Sequence, residues 1–436
     1  MPPVYKLHQK QRSKERPHEC RRFAEGEQTE LLFWVTLGVR RITRSAILSS
    51  TRIGVGLSDA ADAFTCGQEA AKAAQAQLGA GENTALALLF TSHSNPAAVL
   101  KGANDALGEP PLIGATSVGQ YSHEGYVEHG AGVMLIQSDR IRFHTNRYRR
   151  RLFTRQRMLA HLHGVTKEGL GSVYRHRALV LFPDDQTMNL DQVVDRAMTE
   201  TGMLYDIVGG PSPTADKPPR PPAVFFNRHV LHRGLSSTEI LSQSPLGLAL
   251  DNGWTTLSGP YRVTHADAHR IIRIDGRPAW EVYEDFLNER SIPYRLDTLS
   301  TTTLHYPVGV CDNKTCKVSF LMGFDRSGAM LVTSPPPVGR LIHILSTQPD
   351  AMVTAARRAV DSALQQTHSG AGALFIDCMS TGWVLADSYQ RQRDAVQERL
   401  GDKPFLGFRS HGVLARLQGQ TAGHYECSVA ACIFPG

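Results

Sequence analysis

No apolar run in this chain is long enough to cross a bilayer. The candidate at 31–39, LLFWVTLGV, has nine residues, where a spanning helix needs about 20, and no secretory cleavage pattern follows it. The protein is therefore expected to be soluble and cytoplasmic, with no membrane partner. Cysteine is sparse: seven residues in 436, an odd number scattered over the length. That excludes a disulfide framework and fits reduced thiols. Excess charge is missing where it would matter. The net charge is +6, but residues 1–50 hold ten Lys/Arg against five Asp/Glu, leaving 37 against 36 in the rest. A body so near neutrality is not expected to bind nucleic acid. Catalytic signatures are absent too: no G-x-S-x-G, no phosphate loop ending in Gly-Lys-Ser/Thr, no H-E-x-x-H, and no G-x-G-x-x-G opening a helix. The stretch GVGLSDAADA (54–63) lacks the third glycine.

What the chain does have is a strand–helix–strand unit that occurs three times. The first runs ALALLF (85–90), an amphipathic stretch from Pro96 to Leu107, then PPLIGATSVG (110–119). The second runs RALVLF (177–182), Leu190–Glu200, then DIVGGPSPT (206–214). The third runs GALFIDC (372–378), Val384–Leu400, then KPFLGFRSHG (403–412). Short apolar runs precede segments of helical periodicity, and each unit ends at a glycine turn. Another strand follows each, at 130–137, 223–231 and 428–434. Alternation of this kind indicates an α/β fold with mixed sheets.

Around these units, Ile53–Ser58 reads as a first strand and Asp59–Leu78 as an Ala-rich helix capped by Gly79. Residues 140–176, with Arg147, Arg149, Arg150, Arg151, Arg155 and Arg157, read as a solvated connector helix. The Pro-rich stretch 211–222 reads as an exposed loop. A turn at Asp275-Gly276 joins a strand to a helix opened by Pro278. The expected organisation is a disordered basic tail at 1–50, of the kind an upstream start codon adds, then two domains, 51–251 and 252–436.

At these residues the chain resembles a known family. IDGRPAWEVYEDFL (274–287) resembles the element that opens the C-terminal half of FIST domains, and PLIGATSVGQ (111–120) resembles an element of their N-terminal half. The IVGG turn (207–210), the run from Gly253 to Thr264, Cys378 after an apolar strand, and PFLGF (404–408) fit as well. The resemblance covers residues 53–436. It implies a cytoplasmic, ligand-binding sensory module of bacterial signal transduction that relays its state to a separate partner, such as a histidine kinase or chemotaxis receptor. Some similar stand-alone proteins look like haem-based nitric-oxide sensors. The chain departs from the family pattern at Gly412-Val413 and at His424–Cys427, where relatives carry a Glu and an Asn.

Strand-end loops are where α/β sheets bind ligands, and glycine lets the backbone approach closely. A ligand is therefore expected over Gly114, Thr116 and Ser117, over Gly209 and Gly210, and over Gly407 and His411, beside Cys378. On this reading, joint Gly114→Val and Gly407→Val substitution abolishes binding and leaves the fold intact. Cys378 precedes a helix, whose N-terminus would depress the thiol pKa and suit it to capture or catalysis. The alternative is a buried, inert thiol. Asp184 and Asp185 form either an acid–base pair or a helix cap. Cys311, Cys316, Cys427 and Cys432 have spacing too loose for structural zinc. A haem ligand would come from His265, His269, His343, His411 or His424. The favoured function is sensing rather than catalysis; the rivals are a haem gas sensor and an enzyme using Cys378 or the Asp184/Asp185 pair.

Overall fold

The computed structural model describes residues 51–78, 83–149, 157–159, 162–186, 189–216, 219–295, 299–367 and 369–436. The basic segment 1–50, the Gly79 cap, and Arg150, Arg151 and Arg155 lie outside these residues. The architecture is α/β with mixed sheets. The three strand–helix–strand units each found a six-stranded sheet, and in each the unit's two strands are parallel. The parallel register repeats: Leu89 lies opposite Gly114, Leu181 opposite Gly209, and Phe375 opposite Gly407. These strands are apolar on both faces because both faces are covered.

The first sheet runs Arg52–Ser58, Ala131–Gln137, Leu86–Thr91, Leu112–Thr116. The second runs Ile141–Arg149, Gly234–Ser242, His176–Pro183, Asp206–Gly209. The third runs Gly247–Asp251, Val429–Pro435, Gly370–Cys378, Phe405–Ser410. Each sheet is completed by a hairpin from another unit. The first unit's hairpin, Gln120–Val127, extends the third sheet. The second unit's, Val224–Leu231, extends the first, and the third unit's, Val413–Tyr425, extends the second. The exchange is cyclic, so no sheet is complete without its neighbour.

The inner faces share one core. Phe90, Phe182 and Phe408 meet at its centre, with Phe90 stacked on Phe408 at 3.8 Å and the other two pairs edge-to-face at 5.2 and 5.6 Å. Helices cover the outer faces. Helix Ala63–Ala76 begins where Asp62 accepts a hydrogen bond from the Thr65 N–H, and it buries Ala70, Ala71 and Ala74. It lies so close to the first strand that a Cβ on Gly54 would stand 2.1 Å from the Ala74 carbonyl oxygen.

A fourth sheet, of eight strands between Thr255 and Ser346, has its own core with helix Ala279–Glu289. In sequence it lies ahead of the third unit, between strand Gly247–Asp251 of the third sheet and helix Pro349–Gln366. Its Asp275-Gly276 turn has positive φ at both residues, 49° and 80°, the geometry of a tight hairpin. No helix among the described residues is long and apolar enough to cross a membrane.

Four local expectations are corrected. Residues 141–149 form an edge strand, not a connector helix, and pair along their length with 234–242. The Arg-rich composition obscured a period of two that buries Asn146 and Tyr148 and exposes Arg147 and Arg149. Residues 211–222 are not simply exposed: Ser212 and Arg220 are buried, and the Arg220 guanidinium donates to the Ser117 carbonyl at 2.7 Å. The helix expected at 384–400 is broken into Thr381–Leu385, a 3-10 turn, and Tyr389–Leu400, with Ala386 at φ 42°. Cys311 and Cys316 are not free thiols; they form a disulfide across the hairpin at 308–319.

Candidate functional site

The strand ends of the three units converge, as the glycine turns predict, but they interlock. Val118 N–H donates to the Arg409 carbonyl at 3.2 Å, and His411 N–H donates to the Pro211 carbonyl at 3.0 Å. Thr116 and Ser212 share a hydroxyl hydrogen bond of 2.5 Å. Thr116, Ser117, Ser212 and Ser410 are fully buried. Gly114 and Gly209 serve packing, since a Cβ would lie 1.8 Å from the Leu89 carbonyl oxygen or 2.1 Å from that of Leu181. A Cβ on Gly407 would stand 2.4 Å from the Tyr121 ring, and one on Gly210 2.8 Å from the Phe408 ring. Valine at Gly114 or Gly407 therefore tests folding, and the expectation of a folded double variant is withdrawn.

Cys378 is fully buried at the end of strand Gly370–Cys378. Burial pushes its pKa up, outweighing its hydrogen bonds to Ser380. The helix that follows spans only Thr381–Leu385, so the expected thiolate activation is not found. Cys378 is expected to react with iodoacetamide only as fast as the other buried thiols, Cys66, Cys427 and Cys432. Labelling of native protein read by peptide mass spectrometry checks this; rapid selective labelling at Cys378 would contradict it.

Of the predicted residues, His411 reaches open space. It lines a cleft of about 270 Å³ between the strand end of the second unit, the hairpin of the third, and the fourth sheet. Asp185 supplies one wall. Its neighbour Asp184 is buried and accepts the Gly234 and Gln186 N–H groups at 2.8 and 3.2 Å. The Asp pair does not cap the next helix; Asn189 does, accepting from Gln192 N–H. Asp185 instead accepts the Thr214 N–H at 2.9 Å and pairs with His411.

The cleft holds a graded set of acids and bases. His411 Nδ1 lies 3.3 Å from Asp185 Oδ2, a contact that raises the imidazole pKa against the effect of burial. His424 Nε2 donates to the His411 carbonyl at 2.8 Å, and burial lowers its pKa to about 4. Glu426 is 7% exposed; burial raises its pKa, opposed by the 2.6 Å bond from the Thr333 hydroxyl. Burial alone would raise Asp191, but Lys317 Nζ at 2.5 Å and the His424 N–H at 2.8 Å hold its carboxyl below the usual range. The site thus offers a cation-leaning imidazole, a neutral one, and a carboxyl poised toward its protonated form. Such a set can donate to and accept from a small polar molecule and exchange a proton with it. Sequence reasoning weighed Asp185 and His411 but missed Asp191, Lys317 and Thr333. The only trace of Glu426 was its place in the departure at 424–427.

The linkage is testable. The His424 pKa is depressed on folding, so the unfolded chain takes up a proton near pH 6.5 while the folded one resists until about pH 4. Stability is therefore lost as pH falls through that window, on the order of 3 kcal/mol at its lower end. His411 has the opposite sign: its contribution is full below the unfolded pKa and is lost as pH rises through the raised folded value. Urea unfolding at pH 7 and pH 4.5 is expected to show less acid destabilisation in His424→Gln than in the unsubstituted protein. Equal losses would contradict the assignment.

Neither His411 nor His424 fits a haem pocket. His265 and His269 are exposed. His424 commits Nε2 to the His411 carbonyl, and His411 stands among three carboxylates, Asp185, Asp191 and Glu426. A porphyrin face needs an apolar surround. His343 is half-buried within strand Leu341–Ser346.

Two uncharacterized proteins of Mycobacterium tuberculosis, from strains CDC 1551 and H37Rv, are each 25% identical over 392 residues, spanning 86% of this chain and 97% of theirs. The FIST N domain model matches residues 85–277 and the FIST C domain model matches 279–416. With both halves matched in order, the chain belongs to the FIST family.

Proposed function

We propose that the protein binds a small polar ligand in the cleft at Asp185, His411 and Glu426 and passes the bound state to a separate signalling protein. FIST domains are sensory domains of signal-transduction proteins, which supports the reading at the level of class. The observation that carries it further is the cleft itself. Its walls come from the second unit, the third unit and the fourth sheet, through Asp185, His411 with Glu426, and Thr333. A ligand that bridges these walls binds one arrangement of them better than another, and that difference is what a partner can read. The partner we favour is a histidine kinase or chemotaxis receptor, and the compartment the cytoplasm.

A thermal-melt screen against small polar metabolites tests the reading. A ligand at 100 times its dissociation constant adds about 2.7 kcal/mol of stability, and at least one is expected to raise the melting temperature. A screen of amino acids, organic acids and nucleosides in which none stabilises the protein would count against it.

A further inference from the structure

We propose that the pocket between the strand end of the third unit and the hairpin of the first is a second ligand site, built for a small aromatic carboxylate. The cyclic hairpin exchange makes this pocket the structural counterpart of the cleft described above. Gly119 and Gly412 precede their hairpins with φ of 138° and 89°, and Gln120 pairs with Val127 as Val413 pairs with Tyr425. Val118, Tyr126 and Glu128 therefore occupy the places of His411, His424 and Glu426. On the facing strand, the equivalent registers of Leu181 with Gly209 and Phe375 with Gly407 put Met379 in the place of Asp185. All six of these second-pocket and cleft positions on the hairpins, and both on the strands, line their cavities.

The chemistry has changed between the two. The counterpart pocket, of about 490 Å³, exchanges the polar set for Met379, Val118 and Tyr126, and places Arg409 where the second unit has Pro211. Arg409 Nη2 donates to the Met379 carbonyl at 3.0 Å, and its guanidinium lies 4.6 Å from the centre of the Tyr389 ring. Its Nε is buried without a partner, and the Tyr126 side chain also interacts with the guanidinium. Among the described residues no carboxylate lies within ion-pair distance of it. The nearby Asp377 is fully buried and accepts the Thr381 and Tyr389 hydroxyls, each at 2.8 Å. Room for the guanidinium depends on Gly382, where a Cβ would stand 2.3 Å from Nη2. Trp383, 56% exposed, lines the same pocket.

A guanidinium on the pocket wall with no carboxylate paired to it matches a carboxylate, and the flanking Trp and Tyr rings match a planar apolar body. Glu128 in the same lining disfavours a doubly charged phosphate. The third equivalent position is rebuilt: residues 214–222 are inserted between Pro213 and Ala223, and Ala223 bonds Thr116 N–H as Gly119 bonds Arg409 N–H.

Isothermal titration of the full chain with naphthalene-2-carboxylate and with the uncharged 2-naphthalenemethanol tests the proposal. Binding of the carboxylate at least tenfold tighter than the alcohol is expected. Trp383→Ala, at an exposed position, should keep the fold and weaken the carboxylate at least tenfold, and Arg409→Gln should do the same where it folds. Asp185→Asn, in the other cleft, should change nothing. No binding of the carboxylate at millimolar concentration, equal affinity for the alcohol, undiminished binding by Trp383→Ala, or loss in Asp185→Asn would each overturn the proposal.

Discussion

Gly114→Val is expected to yield no stably folded protein, and Gly209→Val likewise. The new Cβ would stand 1.8 Å from the Leu89 carbonyl oxygen in one case and 2.1 Å from that of Leu181 in the other. The obstacle is backbone of the adjacent parallel strand, so no side-chain rotation relieves it. Moving the strand would break the pairing of Leu112–Thr116 with Leu86–Thr91, and with it the junction in which Thr116 bonds Ser212 and Ala223. A loss above about 4 kcal/mol is the scale of such severe backbone conflicts. Soluble yield and circular-dichroism melts check it, with Gly171→Ala as the control, since a Cβ there meets nothing nearer than 3.7 Å. A cooperative melt for Gly114→Val at the unsubstituted temperature would contradict the packing role.

Phe408→Ala is the second large effect. The ring is fully buried and touches both Phe90 and Phe182, one from each of the other two sheets. Truncation of such a ring costs about 3–5 kcal/mol, because the removed surface and the cavity both count. Here the cavity has little means of collapse, as its walls are three sheets tied by exchanged hairpins. Urea unfolding should show the midpoint fall with the slope unchanged. A loss under about 1 kcal/mol would mean that the three sheets do not share one core.

Much of this architecture was legible in the sequence. The two strands of each unit are continuous apolar runs bounded by glycine turns, and all six of these strands were read at their observed places. The hairpin exchange was not legible. Gln120–Ser122 pairs with Leu406–Phe408, and Val224–Phe226 with Ile113–Ala115; such long-range pairing leaves no local periodicity. The strand at 141–149 was obscured because charge density outweighed its alternation. The disulfide was missed because composition speaks to compartment, whereas the bond depends on hairpin register placing Cys311 opposite Cys316.

The site followed the same division. His411 stood out because a glycine turn announces a strand end, and Asp185 because it follows one. Asp191 and Lys317 are brought together across 126 residues, and nothing local to either marks the pair. Cys378 looked reactive because a helix follows it, yet burial governs the thiol. The eight residues anticipated for ligand contact form two groups in space. Gly114, Thr116, Ser117, Gly209, Gly210 and Gly407 build the junction, with Cys378 buried beside it, and His411 faces the cleft.

The proposed ligand site is the cleft at Asp185, His411 and Glu426. The most direct measurement is the dissociation constant of the stabilising metabolite for the unsubstituted protein, Asp185→Asn and Glu426→Gln, by isothermal titration at pH 7. Weakening of at least tenfold in both variants, with melting temperatures preserved, is the predicted result. Unchanged dissociation constants in both would place the ligand elsewhere and contradict the account.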